Sequence, residues 1–162
     1  MSAKPRKFSD FATALKTAYE EEVSGEAFFA ALGQHMGGRA AEVLTIFSEI
    51  EHVTALAVAP LIRRHDIAHR SRAELVAEGK DEAAGLNSVE WADFLARVVS
   101  DYPAYVHEFE TLRDSAGSED RTVLQLLVEH EVAMLDFARL EVAGTPDATA
   151  PLRAFLARAA AV

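Results

Sequence analysis

The sequence predicts an all-α protein: an antiparallel four-helix bundle with a long crossover connection and a short C-terminal fifth helix. Three observations predict it. Four long stretches repeat apolar residues at alternating steps of three and four, which is the spacing of one helix face. No strand-like alternation competes with them. The connections come in two kinds, a Gly37-Gly38 pair between the first two helices and a polar stretch over residues 65–87. The first implies an αα-hairpin, and the second is long enough to cross the length of a bundle.

The first helix is expected over about 9–36, with Ser9 as N-cap and the glycine pair as its stop. Its seam reads Phe11, Leu15, Ala18, Glu22, Gly25, Phe29, Leu32, Met36. The second helix, about 39–64, has the seam Leu44, Phe47, Glu51, Thr54, Val58, Leu61, with Pro60 bending its last turns. A short helix over 71–79 opens at the capping box Ser71-x-x-Glu74 and closes near Gly79, followed by loop from Asp81 to Asn87. The third long helix, about 88–116, carries Trp91, Leu95, Val98, Tyr102, Tyr105, Phe109 and Leu112. Pro103 within it predicts a kink or a break. The fourth, about 119–143, carries Leu124, Leu127, Glu131, Met134 and Ala138 and ends at Gly144-Thr145-Pro146. The last helix, about 150–161, follows Thr149 as N-cap with Pro151 in its first turn.

Composition bounds what such a fold can do. The chain has 162 residues, half of them hydrophobic and about a quarter charged. That is enough for one domain with a sizeable core over residues 8–162, behind a flexible basic tail at 1–7. The absence of cysteine excludes disulfides and thiolate metal sites. A net charge of -10 argues against nucleic acid or an anionic membrane as partner. The basic start lacks the apolar stretch of a secretory signal, and the most apolar run, Ala55 to Ile62, is too short to span a bilayer. A cytoplasmic protein with no membrane partner is expected.

The chemistry lies in three acids that break the apolar pattern. Glu22, Glu51 and Glu131 each stand on an apolar seam near the middle of a long helix. In an antiparallel bundle helix midpoints meet, so the three carboxylates are expected at one level of the core. A carboxylate there needs a proton, a hydrogen-bond partner or a metal. Counting ~100° per residue, Glu49 and Glu129 point about 160° away from Glu51 and Glu131, to solvent. Glu26, one turn beyond Glu22, borders the site. Three carboxylates with water are hard donors suited to Mn, Fe(II), Mg or Ca. The alternative is a metal-free polar core, in which protonated carboxyls share hydrogen bonds with Tyr102, Tyr105 or Thr54.

The stretches Glu22-Val23-Ser24-Gly25 and His130-Glu131-Val132-Ala133, with the helix layout over residues 8–143, resemble the ferritin-like di-iron carboxylate superfamily. Rubrerythrin-like proteins and the tRNA-modifying and demethoxyubiquinone hydroxylases belong to it. The resemblance implies a ferritin-like bundle, Fe or Mn as cofactor, oxidoreductase chemistry, and Glu22, Glu51 and Glu131 as metal ligands. It also implies a Glu-x-x-His pair on the second and fourth helices. Here the histidine positions hold Thr54 and Met134, and the family's third-helix carboxylate position falls near Tyr102, beside Pro103. The site is therefore reduced, and a decayed, non-catalytic scaffold is the alternative. His52 and His130 flank the seams as boundary histidines able to approach the site.

Other features are read as structural. His65 and His69 sit among Arg63, Arg64, Arg70 and Arg72, a solvated basic turn that repels cations. Phe28, Phe137 and Leu140 lie off the seams, and such a second apolar stripe suggests a homodimer contact or packing of the extra helix.

Overall fold

The computed structural model describes residues 3–161. Among them the chain forms six α-helices and no strand: α1 (Phe11–Met36), α2 (Gly38–Arg64), α3 (Arg72–Ala84), α4 (Trp91–Ser115), α5 (Arg121–Val142) and α6 (Ala150–Ala159). Met1 and Ser2 of the expected basic tail lie outside the described residues. The chain divides into two compact units, residues 15–91 and residues up to 14 together with those from 92 onward.

In the unit over 15–91, α1 and α2 form an antiparallel hairpin. Gly37 and Gly38 both take positive φ, 69° and 53°, a region where glycine carries no Cβ penalty. The hairpin register is fixed by contacts along its length. The Phe29 and Phe47 rings meet edge-on at 5.1 Å, and the Ser48 hydroxyl donates to the Glu26 carbonyl at 2.9 Å. Every predicted seam residue of α2, from Leu44 to Leu61, is buried. Each fully buried Leu or Phe among them contributes about 1.5–3 kcal/mol of transfer free energy. α2 as a whole is long and apolar enough to cross a membrane by length and composition, which the short run Ala55 to Ile62 did not suggest. Its apolar residues Val43, Phe47, Ile50, Val58 and Ile62 are nevertheless buried against protein.

α3 departs from expectation. Its capping box is present, with Glu74 N–H bonded to the Ser71 hydroxyl and the Glu74 carboxylate bonded to Ser71 N–H. The helix does not close at Gly79 but continues to Ala84, through part of the expected loop. Gly79 is there for packing. A Cβ at this position would lie 2.1 Å from the Ser24 carbonyl oxygen, so glycine lets the backbones of α3 and α1 touch. Leu75 then packs with Val23 and Ala55, with Tyr19 at the edge.

In the other unit, α4 and α5 also run antiparallel, linked by contacts such as Arg113 Nη1 to Gln125 Oε1 at 2.8 Å. α4 is one continuous helix through Pro103. α6 packs against α5, and Phe137 and Phe155 are fully buried. Of the two explanations offered for the second apolar stripe, packing of the extra helix is the one present on α5. Phe28 and Leu140 are half-buried.

Two caps also differ. Asp10, not Ser9, accepts from the Thr13 N–H at 2.8 Å at the start of α1. Thr149 occupies the α6 cap position without a capping bond, and its hydroxyl accepts from Arg153 instead. Residues 3–8 have no regular secondary structure, yet they are held down. Ala3 N–H donates to Asp101 at 3.0 Å, and Arg6 grips Glu108 through its backbone N–H, Nε and Nη2.

Candidate metal-ligating residues

In the unit over 15–91, helical phase places both predicted glutamates inside. Glu22 is 1 % exposed and Glu51 7 %. The Glu51 carboxyl lies on α1 beside Gly25, where a Cβ would come within 3.0 Å of both its Cδ and Oε2. Gly25 is one turn beyond Glu22 on the same face. The local sequence Glu22-Val23-Ser24-Gly25 thus does two things. It turns one carboxylate inward and clears space for the next helix to bring in another.

Thr54, one turn along α2 from Glu51, is buried, and its hydroxyl donates to the Ile50 carbonyl at 2.8 Å. Glu26 stands at the surface side. It pairs with Arg72 Nη2 at 2.7 Å, and His52 Nδ1 lies 3.3 Å from its other oxygen. Those partners hold Glu26 and His52 near solvent, and the His52 side chain is 46 % exposed. Glu49 is exposed, as its phase requires.

In the other unit, Glu131 and Met134 are buried on α5 as the seam predicts. His130 is the correction. It was expected at the boundary and is only 1 % exposed. Its ring stands 5.8 Å from that of Phe109 on α4 and 6.3 Å from that of Phe155 on α6. The second buried face that α6 creates is what encloses it. Its Nε2 lies 3.3 Å from Glu131 Oε1, while the buried Glu131 Oε2 has no hydrogen-bond partner among the described residues. A carboxylate beside an imidazole nitrogen is the pairing that fixes tautomer and orientation in metal-bound histidines. Glu129, expected in solvent, is only partly so, and it meets Arg158 of α6 at 3.3 Å. Tyr102 and Tyr105 are half-buried and pack edge-on at 5.6 Å. The Arg6 guanidinium lies 5.9 Å from the Tyr105 ring centroid.

Glu20 and Glu108 are among the buried acids that escaped the sequence reading. Glu20 accepts from Arg70 N–H and Nε, both at 2.8 Å. Burial pushes its carboxyl up, but these bonds and the charges of Arg70 and Lys16 outweigh it and hold the group below the usual carboxylate range. Glu108 is the acid gripped by Arg6. Both are satisfied by an arginine and are structural ion pairs. Among the described residues of the unit over 15–91, Glu22 and Glu51 are buried side chains that could serve a metal ion.

No family model matches this chain, and no curated protein or solved structure matches it either.

Proposed function

We propose that this is a divergent ferritin-like protein that binds a metal ion through core carboxylates, with Glu22 and Glu51 as the central ligand pair. The observation that carries the reading is their arrangement within residues 15–91. Both glutamates are buried at mid-helix, and Gly25 makes room for the Glu51 carboxyl one turn from Glu22. Two carboxylates drawn into one core repel unless a proton or a cation neutralises them. A divalent ion satisfies both.

The seam spacing of α5 puts Glu131 forward as a further carboxylate ligand, and His130 beside it is a nitrogen donor of the kind that the Glu-x-x-His positions lack. The uncompensated Glu131 Oε2 fits a donor set left incomplete by protein groups alone. Carboxylates with an imidazole suit Fe or Mn. Such an ion would supply redox chemistry, which is the basis for an oxidoreductase reading. The protein's own part is to hold the carboxylates in place and to exclude bulk water.

One observation favours a second reading, a helical scaffold whose site no longer catalyses. The Thr54 hydroxyl is committed to the Ile50 carbonyl, and Met134 offers only a thioether. Titration of metal-free protein with Mn(II), followed by electron paramagnetic resonance, tests metal binding. Saturable uptake that weakens in Glu51→Ala supports the site. Saturable uptake with no turnover of dioxygen or peroxide selects the scaffold, and no uptake removes the metal reading.

A further inference from the structure

One cavity lies apart from Glu22, Glu51 and Glu131. The N-terminal segment lies along α4 and borders, with the first turn of α1, a half-open cavity of about 720 Å³. That lies within the ~300–1,000 Å³ typical of small-molecule sites. Its wall is held in place. Arg6 bonds Glu108 through three nitrogen donors and covers the Phe8 ring at 5.3 Å.

The lining has two chemical parts. Phe8, Phe11 and Leu112 supply an apolar surface, and Lys4 and Lys7 stand at it as cations. The lining's charges are three basic side chains (Lys4, Arg6, Lys7) against two acidic ones (Asp10, Glu108). It is therefore locally positive in a chain of net charge -10. Glu108 is neutralised by Arg6, and the Asp10 carboxylate is occupied by Thr13 N–H and the Ser9 hydroxyl. Lys4 and Lys7 make no ion pair among the described residues.

We propose that this cavity binds a small amphipathic carboxylate, a medium-chain fatty acid or arylalkanoate, with its apolar stem on Phe8, Phe11 and Leu112 and its head at Lys4 and Lys7. A neutral ligand forgoes the lysines, and a cationic one meets a like-charged rim. The Arg6–Glu108 clamp preforms the wall, which lowers the ordering cost of binding.

Isothermal titration with decanoate below its aggregation threshold tests this, with decanol and decyltrimethylammonium as comparisons. Saturable one-to-one binding of decanoate is expected, at least tenfold tighter than decanol and with no binding of the cation. Lys4→Glu/Lys7→Glu should weaken decanoate binding at least tenfold with an unchanged circular dichroism spectrum, and Phe8→Ala should weaken both decanoate and decanol. Co-sedimentation with phosphatidylglycerol vesicles separates a free acid from a lipid surface. The proposal is overturned by no saturable decanoate binding, by equal affinity for decanol, by insensitivity to the lysine variant, or by vesicle binding without binding of monomeric decanoate.

Discussion

The Glu51 carboxyl rests against Gly25, with Cδ and Oε2 each 3.0 Å from where a Cβ of residue 25 would stand. Gly25→Ala separates the site from the fold. The obstructed atoms are the end of a flexible side chain, and alanine in a helix gains up to ~1 kcal/mol over glycine. The variant should melt within a few degrees of the wild type, by circular dichroism, and should lose at least tenfold in Mn(II) affinity. Unchanged affinity would show that the position of the Glu51 carboxyl is immaterial.

Gly79→Ala should behave in the opposite way. Its Cβ would meet backbone, the Ser24 carbonyl at 2.1 Å, which cannot rotate aside. Overpacking of this kind costs about 1–3 kcal/mol, more than the gain in helix propensity. Urea denaturation should show that loss, and hydrogen exchange should locate it in α3.

Glu20 predicts a pH dependence. Its carboxyl is held below the usual range in the folded state. The stabilisation is therefore present above the unfolded-state value and is lost as pH falls through the lower folded-state value. Glu20→Gln should lower stability by about 1–3 kcal/mol at neutral pH. The gap between variant and wild type should close in melts taken toward pH 3. A gap that widens in acid would give the shift the wrong sign.

The helix seams were legible because they are a matter of geometry. A three-four spacing fixes a face, and Leu44, Phe47, Glu51, Thr54, Val58 and Leu61 are all buried on it. Glu22 and Glu131 were found as exceptions within that same pattern. What escaped depends on segments distant in sequence. Gly79 looked like a helix stop, but its reason is the backbone of α1. His130 lies about 100° from Glu131 around α5, and only the arrival of α6 with Phe155 makes that second face interior. Glu20 and Glu108 are covered by Arg70 and Arg6, which lie in stretches with no periodicity to read.

His130 carries a prediction from that enclosure. His130→Ala opens a hole between Phe109 and Phe155 and should cost about 2–4 kcal/mol in metal-free protein. His130→Phe should recover part of that stability in thermal melts, and a variant no more stable than His130→Ala would contradict the enclosure by Phe109 and Phe155.

The most direct measurement is the metal content of protein produced in medium supplemented with iron and manganese, for the wild type and for Glu22→Gln/Glu51→Gln. Near-stoichiometric Fe or Mn is expected in the wild type, with its loss in a variant that still folds. A metal-free wild type, with the double variant as stable or more stable in thermal melts, would contradict it and leave Glu22 and Glu51 as a polar remnant.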